Sequence, residues 1–243
     1  MEDYRTLYYK QYTKHTFSQN QGPTQFSFED WGGATKWYVR DWLPQNSNAN
    51  IVDLGCGTGT FLKVLENLGY KNIDGVDLSE AQLETAKSEC EISKLYCQSV
   101  FEYFKSSDKK FDLITGFDFI EHLTKNEILE LFETFNDNLN IGGRVILQTP
   151  NPDSPFGMAY RYGDFTHELA ISPLSLKSLV NIFDFSEFQI RECGPYPHGI
   201  FSFLRYVLWK GIKILIDCIN LVEVGNIGAG IYTRVYIATF IKS

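Results

Sequence analysis

The sequence predicts an α/β protein, a mostly parallel sheet with helices on both faces. Three observations predict it: short apolar runs alternate with helix-length stretches from residue 50 to 150, a glycine-rich turn joins the first run to the first such stretch, and a carboxylate ends the second run. The 243 residues are 44% hydrophobic and 21% charged, which fits a single globular domain and excludes a disordered tail.

Residues 1–49 mix many aromatics with polar residues (among them Tyr4, Tyr8, Tyr9, Tyr12, Phe17, Phe26, Phe28, Trp31, Trp37 and Trp42) and read as an N-terminal aromatic-rich helical cap. A loop-like stretch from Pro44 to Asn50 closes it. The core, residues 50–150, follows: an apolar run at 51–54, a helical stretch at 58–68, a run ending in GVDLS at 75–79, and a helical stretch at 80–91. Runs at 94–97 and 111–117, a helical stretch at 125–139 and RVILQT at 144–149 complete it. Residues 151–172, directly after Pro150, hold two more prolines and two glycines, and a loop of that length inside a domain is usually functional. A helix at 172–183 with Ser172 as N-cap, a strand at 188–193 and a last strand in TRVYIATFIK at 233–242 end the pattern.

Within the insertion at 195–230, residues 200–225 are amphipathic. Ser202, Arg205, Lys210, Lys213, Asp217 and Asn220 fall in a sector of roughly 140°, with Leu204, Val207, Ile214, Leu215, Cys218 and Val222 outside it. Charges recur too often for a span of about 20 apolar residues. Burial against the sheet, a homodimer contact through 200–222, peripheral membrane contact and a substrate lid are all open for this face.

The chain carries 22 Lys plus Arg against 30 Asp plus Glu, a formal charge of −8. That surplus of acid argues against a nucleic-acid partner, whose phosphates need cations. Early acids and no apolar h-region near the N-terminus leave no secretory signal, so a cytoplasmic location is expected. Cys56, Cys90, Cys97, Cys193 and Cys218 form no C-x-x-C pair and read as reduced core thiols.

IVDLGCGTGTF at 51–61 is the strongest local signal. An apolar strand delivers Asp53, and Gly55, Gly57 and Gly59 permit a tight turn and close approach of a ligand to the backbone. Asp77, at the end of the next strand, is placed to accept from both ribose hydroxyls. A nicotinamide-type turn would want glycine at position 60, which is Thr60.

With these residues the chain resembles the class I S-adenosylmethionine-dependent methyltransferases. The resemblance implies a Rossmann-like sheet of seven strands, mostly parallel with an antiparallel last strand, and S-adenosylmethionine as cofactor. It implies cofactor contacts from Asp53, Gly55, Cys56, Gly57 and Gly59, from Asp77 and Leu78, from Ser99 and Val100 in the loop CQSVFEY, and from Phe117. Gln98 and Ser99 stand where the family often has Gly-Asp, so Ser99 or a backbone group would serve the adenine amine.

GFDFIEHL at 116–123 ends the fourth strand, where open α/β sheets hold ligands, and places Asp118, Glu121 and His122 on about one turn. Such oxygen and nitrogen donors suit magnesium or manganese. The stretch resembles the E-x-x-E-H element of the ubiquinone-biosynthesis O-methyltransferases and of the small-RNA terminal 2′-O-methyltransferases. That implies a metal held by Asp118, Glu121, His122 and, from the later loop, His167, with His167 and His122 as catalytic groups. Metal-free acid/base use and plain helix capping are the alternatives. His15 and His198 read as surface or loop residues.

Residues 148–180 carry T-P-N after the fifth strand and D-x-T-H ahead of a Ser-Pro helix start, and with LWKGIKILID and the closing GIYTRVYIATFIK they resemble bacterial surface-glycan methyltransferases. The resemblance implies a sugar hydroxyl as acceptor. Tyr160, Tyr162 and Tyr196 offer ring faces for a sugar, and Arg161, Arg40 and Arg191 are the few groups able to grip phosphate. A quinone or other small phenol is the main alternative, and a cofactor-binding partner subunit without turnover is the alternative of another class.

Overall fold

A computed structural model describes residues 4, 5, 7, 8 and 28–243. Of the expected N-terminal cap, Tyr9, Tyr12, His15, Phe17 and Phe26 lie outside the described residues, as does the side chain of Phe28. In order come α1 (Phe28–Val39), β1 (Asn50–Leu54), α2 (Thr60–Asn67), β2 (Asn72–Asp77), α3 (Glu80–Glu89), β3 (Lys94–Cys97), α4 (Val100–Ser106) and β4 (Phe111–Phe117). A 3-10 turn (Ile120–His122) leads to α5 (Lys125–Asn138), β5 (Leu139–Pro150), the short α6 (Met158–Arg161), α7 (Pro173–Ile182), β6 (Phe185–Glu192), α8 (Ile200–Val224) and β7 (Val235–Lys242).

The seven strands form one sheet in the order β3-β2-β1-β4-β5-β7-β6. Neighbours from β3 through β5 are parallel, and β7 runs antiparallel to both β5 and β6. Chain order reverses between β1 and β4, so the carboxyl ends of these strands open a crevice at a switch point. Alternation along the strands feeds two apolar layers. Val52 and Ile114 join Tyr103, Phe132 and Phe135 on one face, while Ile51 and Leu113 join Trp42, Phe61 and Leu65 on the other.

Four expectations need correction. Helix α4 was not visible as such in CQSVFEY, although Ser99 and Glu102 form a reciprocal capping box that starts it. Strand β5 begins at Leu139, five residues before RVILQT, across a register shift between Phe111 and Leu113 in its pairing with β4. Strand β6 begins at Phe185 rather than 188, because a bulge between Ser186 and Gln189, with Glu187 at φ 52°, hides its alternation. Among the thiols Cys56 is buried, but Cys97 and Cys218 are exposed.

The insertion is the largest departure. Along the 25 residues of α8 only Ser202 is buried, so the helix does not bury an apolar face against the sheet.

Candidate active site

The glycine turn leaves β1 at the switch point. Gly55, Gly57 and Gly59 all have positive φ, and a Cβ on Gly55 would come within 2.9 Å of the Phe119 ring. Neither the backbone nor the space admits a side chain there. The amide of Gly57 donates to Asp77 Oδ2 (2.9 Å) and that of Ser79 to Asp77 Oδ1 (2.7 Å), so the carboxylate ties the turn to the end of β2. Burial pushes the Asp77 carboxyl above its ordinary pKa, against the pull of these amides. Asp53 is buried and accepts from Thr115 Oγ1 (2.6 Å); burial lifts its pKa to about 7 despite that bond.

Around the turn, Cys56 is buried, Leu78 is exposed, and Phe117 packs between Trp31 and Phe61, with ring centroids 5.6 and 4.4 Å away. Val100 is buried in the first turn of α4. The Ser99 hydroxyl accepts from the Glu102 amide (3.1 Å) and donates to Glu102 Oε2 (2.9 Å), so its lone proton is already used in the cap. The backbone at this position is the better source of a contact to an adenine amine.

The second half of the site follows β4. The structure brings Glu121, His122 and His167 together, with one potential ligand atom from each lying within 4.8 Å of the others. Asp118 is outside this group. It sits at φ 51°, and Gln148 Nε2 donates to both its carboxylate oxygens at 3.2 Å. The expected fourth metal ligand is therefore directed onto the end of β5.

Glu121 is buried. Its Oε2 accepts from Thr149 Oγ1 (3.0 Å), while Oε1 is buried with no hydrogen-bond partner among the described residues. Burial first, and the nearby Asp118 carboxyl second, push its pKa well above the ordinary range. Burying a carboxylate oxygen without a partner costs free energy comparable to a lost hydrogen bond to a charged group.

Both imidazoles have a fixed tautomer. Thr166 Oγ1 lies 2.6 Å from Asp164 Oδ1 and 2.9 Å from His122 Nδ1. A carboxylate only accepts, so the threonine proton goes to Asp164 and His122 Nδ1 must carry its own. His167 Nδ1 lies 3.2 Å from the Arg161 carbonyl, which likewise only accepts. Nδ1 carries a proton in each ring, so Nε2 is the atom left to present a lone pair, and the ring centroids are 4.8 Å apart. Burial, then His167 beside it, lowers the His122 pKa to about 4, so this ring is neutral at pH 7.

The loop that brings His167 is held from several sides. Arg161 donates to the carbonyls of His167 (2.6 Å) and Glu168 (2.8 Å), and the amides of Glu168 and Leu169 donate to the Glu121 carbonyl at 2.8 and 3.1 Å. Arg5 pairs with Glu127 (2.7 Å) and Glu168 (3.4 Å), and Tyr8 stacks on Phe165. Asn151 of the T-P-N motif donates to the carbonyls of Ile231 and Thr233, both at 2.9 Å, fixing the root of the loop.

Of the residues read as sugar or phosphate contacts, Arg161 is spent on the loop, Arg191 is bidentate to Asp41, and Arg40 stacks on Trp37. Tyr162 is exposed, and Tyr196 stacks on His198, 4.3 Å away. Thr149, Gln148 and Thr166 were missed as site residues. The T-P-N and D-x-T-H motifs contained Thr149 and Thr166, but with no role assigned to either.

A model described as "Methyltransferase domain" matches residues 33–192. The chain belongs to this methyltransferase family. The glycine turn and Asp77 both lie within the matched residues. Among curated relatives, a malonyl-[acyl-carrier protein] O-methyltransferase of Ilyobacter polytropus is 33% identical over 41% of this chain and 37% of its own length. A ubiquinone biosynthesis O-methyltransferase of Coxiella burnetii is 27% identical over 42% of this chain and 44% of its own. The matched region spans less than half the length of these relatives. A solved methyltransferase from Archaeoglobus fulgidus superposes with a TM-score of 0.66 at 20% identity, over 99% of this chain and 100% of its own, and confirms the fold. The expected seven-stranded sheet with its antiparallel last strand is the one observed.

Proposed function

We propose that this methyltransferase acts on a hydroxyl, and that Glu121, His122 and His167 hold a divalent ion against which the acceptor oxygen binds. The observation that carries the reading is the convergence of one orphaned carboxylate oxygen, Glu121 Oε1, with the two imidazoles whose Nδ1 positions are already occupied. The donor set fits an ion, and two nitrogens with one oxygen suit manganese better than magnesium. When bound, the ion lowers the pKa of an acceptor hydroxyl and can grip a second, vicinal one.

The residues of the chain do the rest. The glycine turn and Asp77 hold S-adenosylmethionine, with Leu78, Val100 and Phe117 bordering it. The 151–172 loop holds the acceptor in line with the sulfonium. The oxygen attacks the methyl carbon, the carbon–sulfur electron pair returns to sulfur, S-adenosylhomocysteine leaves, and with an ion bound the acidified hydroxyl would release its proton to solvent water. Without an ion, His167 Nε2 would take the hydroxyl proton.

A sugar hydroxyl of a surface-glycan intermediate is the acceptor we favour, for its vicinal diols and the order of motifs over residues 148–242. A quinol or small phenol is the second reading, supported by the ubiquinone-biosynthesis relative. Turnover of labelled S-adenosylmethionine on nucleotide sugars, glycans and quinols, with EDTA or added manganese, tests both points. Full activity in EDTA removes the ion and leaves His167 as base; turnover of quinols alone removes the sugar.

A further inference from the structure

Helix α8 is built inside out. At about 100° per residue, Ser202, Trp209, Lys213 and Asn220 share the side that faces the protein. Lys213 pairs with Glu192 at 3.4 Å, and Tyr232 takes a hydrogen bond from Asn220 (2.9 Å) and gives one to Asp217 (2.7 Å). The middle of the polar side is thus consumed inward, while Arg205 and Lys210 lie exposed at its margins. The outward arc of about 180°, centred on Leu204 and Val222, carries no charged side chain at all. Phe201 is 83% and Val222 88% exposed, and Val207, Leu208, Ile214 and Leu215 are also exposed.

We propose that this face is the contact between two copies of the chain, packed as antiparallel helices about a two-fold axis near the middle of α8. The bare apolar surface is on the order of 1,000 Å², more than the few hundred Å² usual on a monomer and enough for the ~800 Å² per partner of a stable interface. Leu204, Val207, Gly211, Ile214, Cys218 and Leu221 alternate spacings of three and four, the seam two helices need, and a Cβ on Gly211 would meet nothing within 4 Å.

Charge selects the occupant and the direction. Arg205 and Glu223 sit on the same margin of the face at opposite ends, and neither makes an ion pair among the described residues. Antiparallel pairing sets the Arg205 end of one helix beside the Glu223 end of the other, within the reach of an arginine. Parallel pairing instead sets Arg205 towards the margin that carries Lys210. An acidic chain of net charge −8 is not drawn to an anionic bilayer, and an Arg205 and a Glu223 at opposite ends of one margin match a second copy rather than a uniform surface.

Sedimentation of the full chain at micromolar concentration tests this, alongside flotation with neutral phosphatidylcholine vesicles. The expected result is a dimer. Leu208→Glu with Leu215→Glu should make it a monomer that still binds S-adenosylhomocysteine. Arg205→Glu and Glu223→Arg should each weaken the dimer roughly ten-fold and together restore it. A monomeric native chain overturns the proposal, and if that monomer floats with vesicles the face is a lipid-binding surface instead. A dimer that survives the double glutamate variant also overturns it, and failure of the charge swap to restore dimerisation overturns the antiparallel arrangement.

Discussion

The two halves of the site are built from different materials. The cofactor half is made of backbone: three left-handed glycines and amides tied to one carboxylate, all within a continuous stretch from Asp53 to Ser79. The acceptor half is made of side chains, from the turn after β4 and the loop after β5, each aimed by a neighbour such as Thr149, Thr166 or the Arg161 carbonyl. A backbone site depends on local conformation and tolerates little substitution. A side-chain site depends on contacts between distant segments and can lose function in steps.

Substitutions should separate the halves. The largest effect is expected from Gly57→Val, which forces a branched residue to φ 53° and against Gln82. Titration calorimetry should show S-adenosylhomocysteine affinity down by about 1,000-fold or more, with manganese binding unchanged; loss of both would show that the halves are one unit.

Asp53→Asn comes next. Its folded pKa of about 7 lies above the unfolded value, so the protonated acid favours the folded state and that advantage is lost as pH rises from about 4 to 7. The asparagine variant should be more stable at pH 8 by on the order of 3 kcal/mol and show a flatter melting profile over that window. An unchanged profile would place the charge elsewhere.

Glu121→Gln should lower turnover by on the order of 100-fold and abolish manganese binding, leave the cofactor affinity intact, and raise the melting temperature of the metal-free protein, since a buried raised-pKa acid is removed. Equal loss of cofactor binding would contradict the division. Thr166→Val should cost about ten-fold in metal affinity by freeing the His122 tautomer, and an unaltered affinity would remove Thr166 from that role. The smallest change is Ser99→Ala, which should cost about 1 kcal/mol of stability through the lost cap and leave cofactor affinity within two-fold. A larger affinity loss would mean the hydroxyl contacts the cofactor after all.

The same division explains what could be read in advance. Asp53, the glycines and Asp77 announce themselves because their roles follow from adjacent sequence and strand ends. Glu121, His122 and His167 were legible as a set only through their order along the chain. That Asp118 turns away to Gln148 was not, because it depends on the left-handed backbone at 118 and on a residue of another strand. Helix α4 was missed although Ser99 and Glu102 mark its start, and β6 was shortened by its bulge. The amphipathic pattern of α8 was plain, but periodicity gives the width of a face and not its direction. Only Lys213 and Asp217, bonded inward, show which side is out.

The position of β7 has a consequence for how the chain matures. This strand lies between β5 and β6 and is, among the described residues, the only sheet partner of β6, yet it is made after the whole of α8. During synthesis the sheet can assemble from β3 to β5 while β5 presents an open edge and β6 waits unpaired. Closure is a late, long-range step of the kind that slows folding and exposes strand edges to aggregation. Because Asn151 is pinned to the carbonyls of Ile231 and Thr233 just before β7, the acceptor loop gains its footing in that same final step. The nascent protein should therefore become able to bind its cofactor before it becomes able to use it.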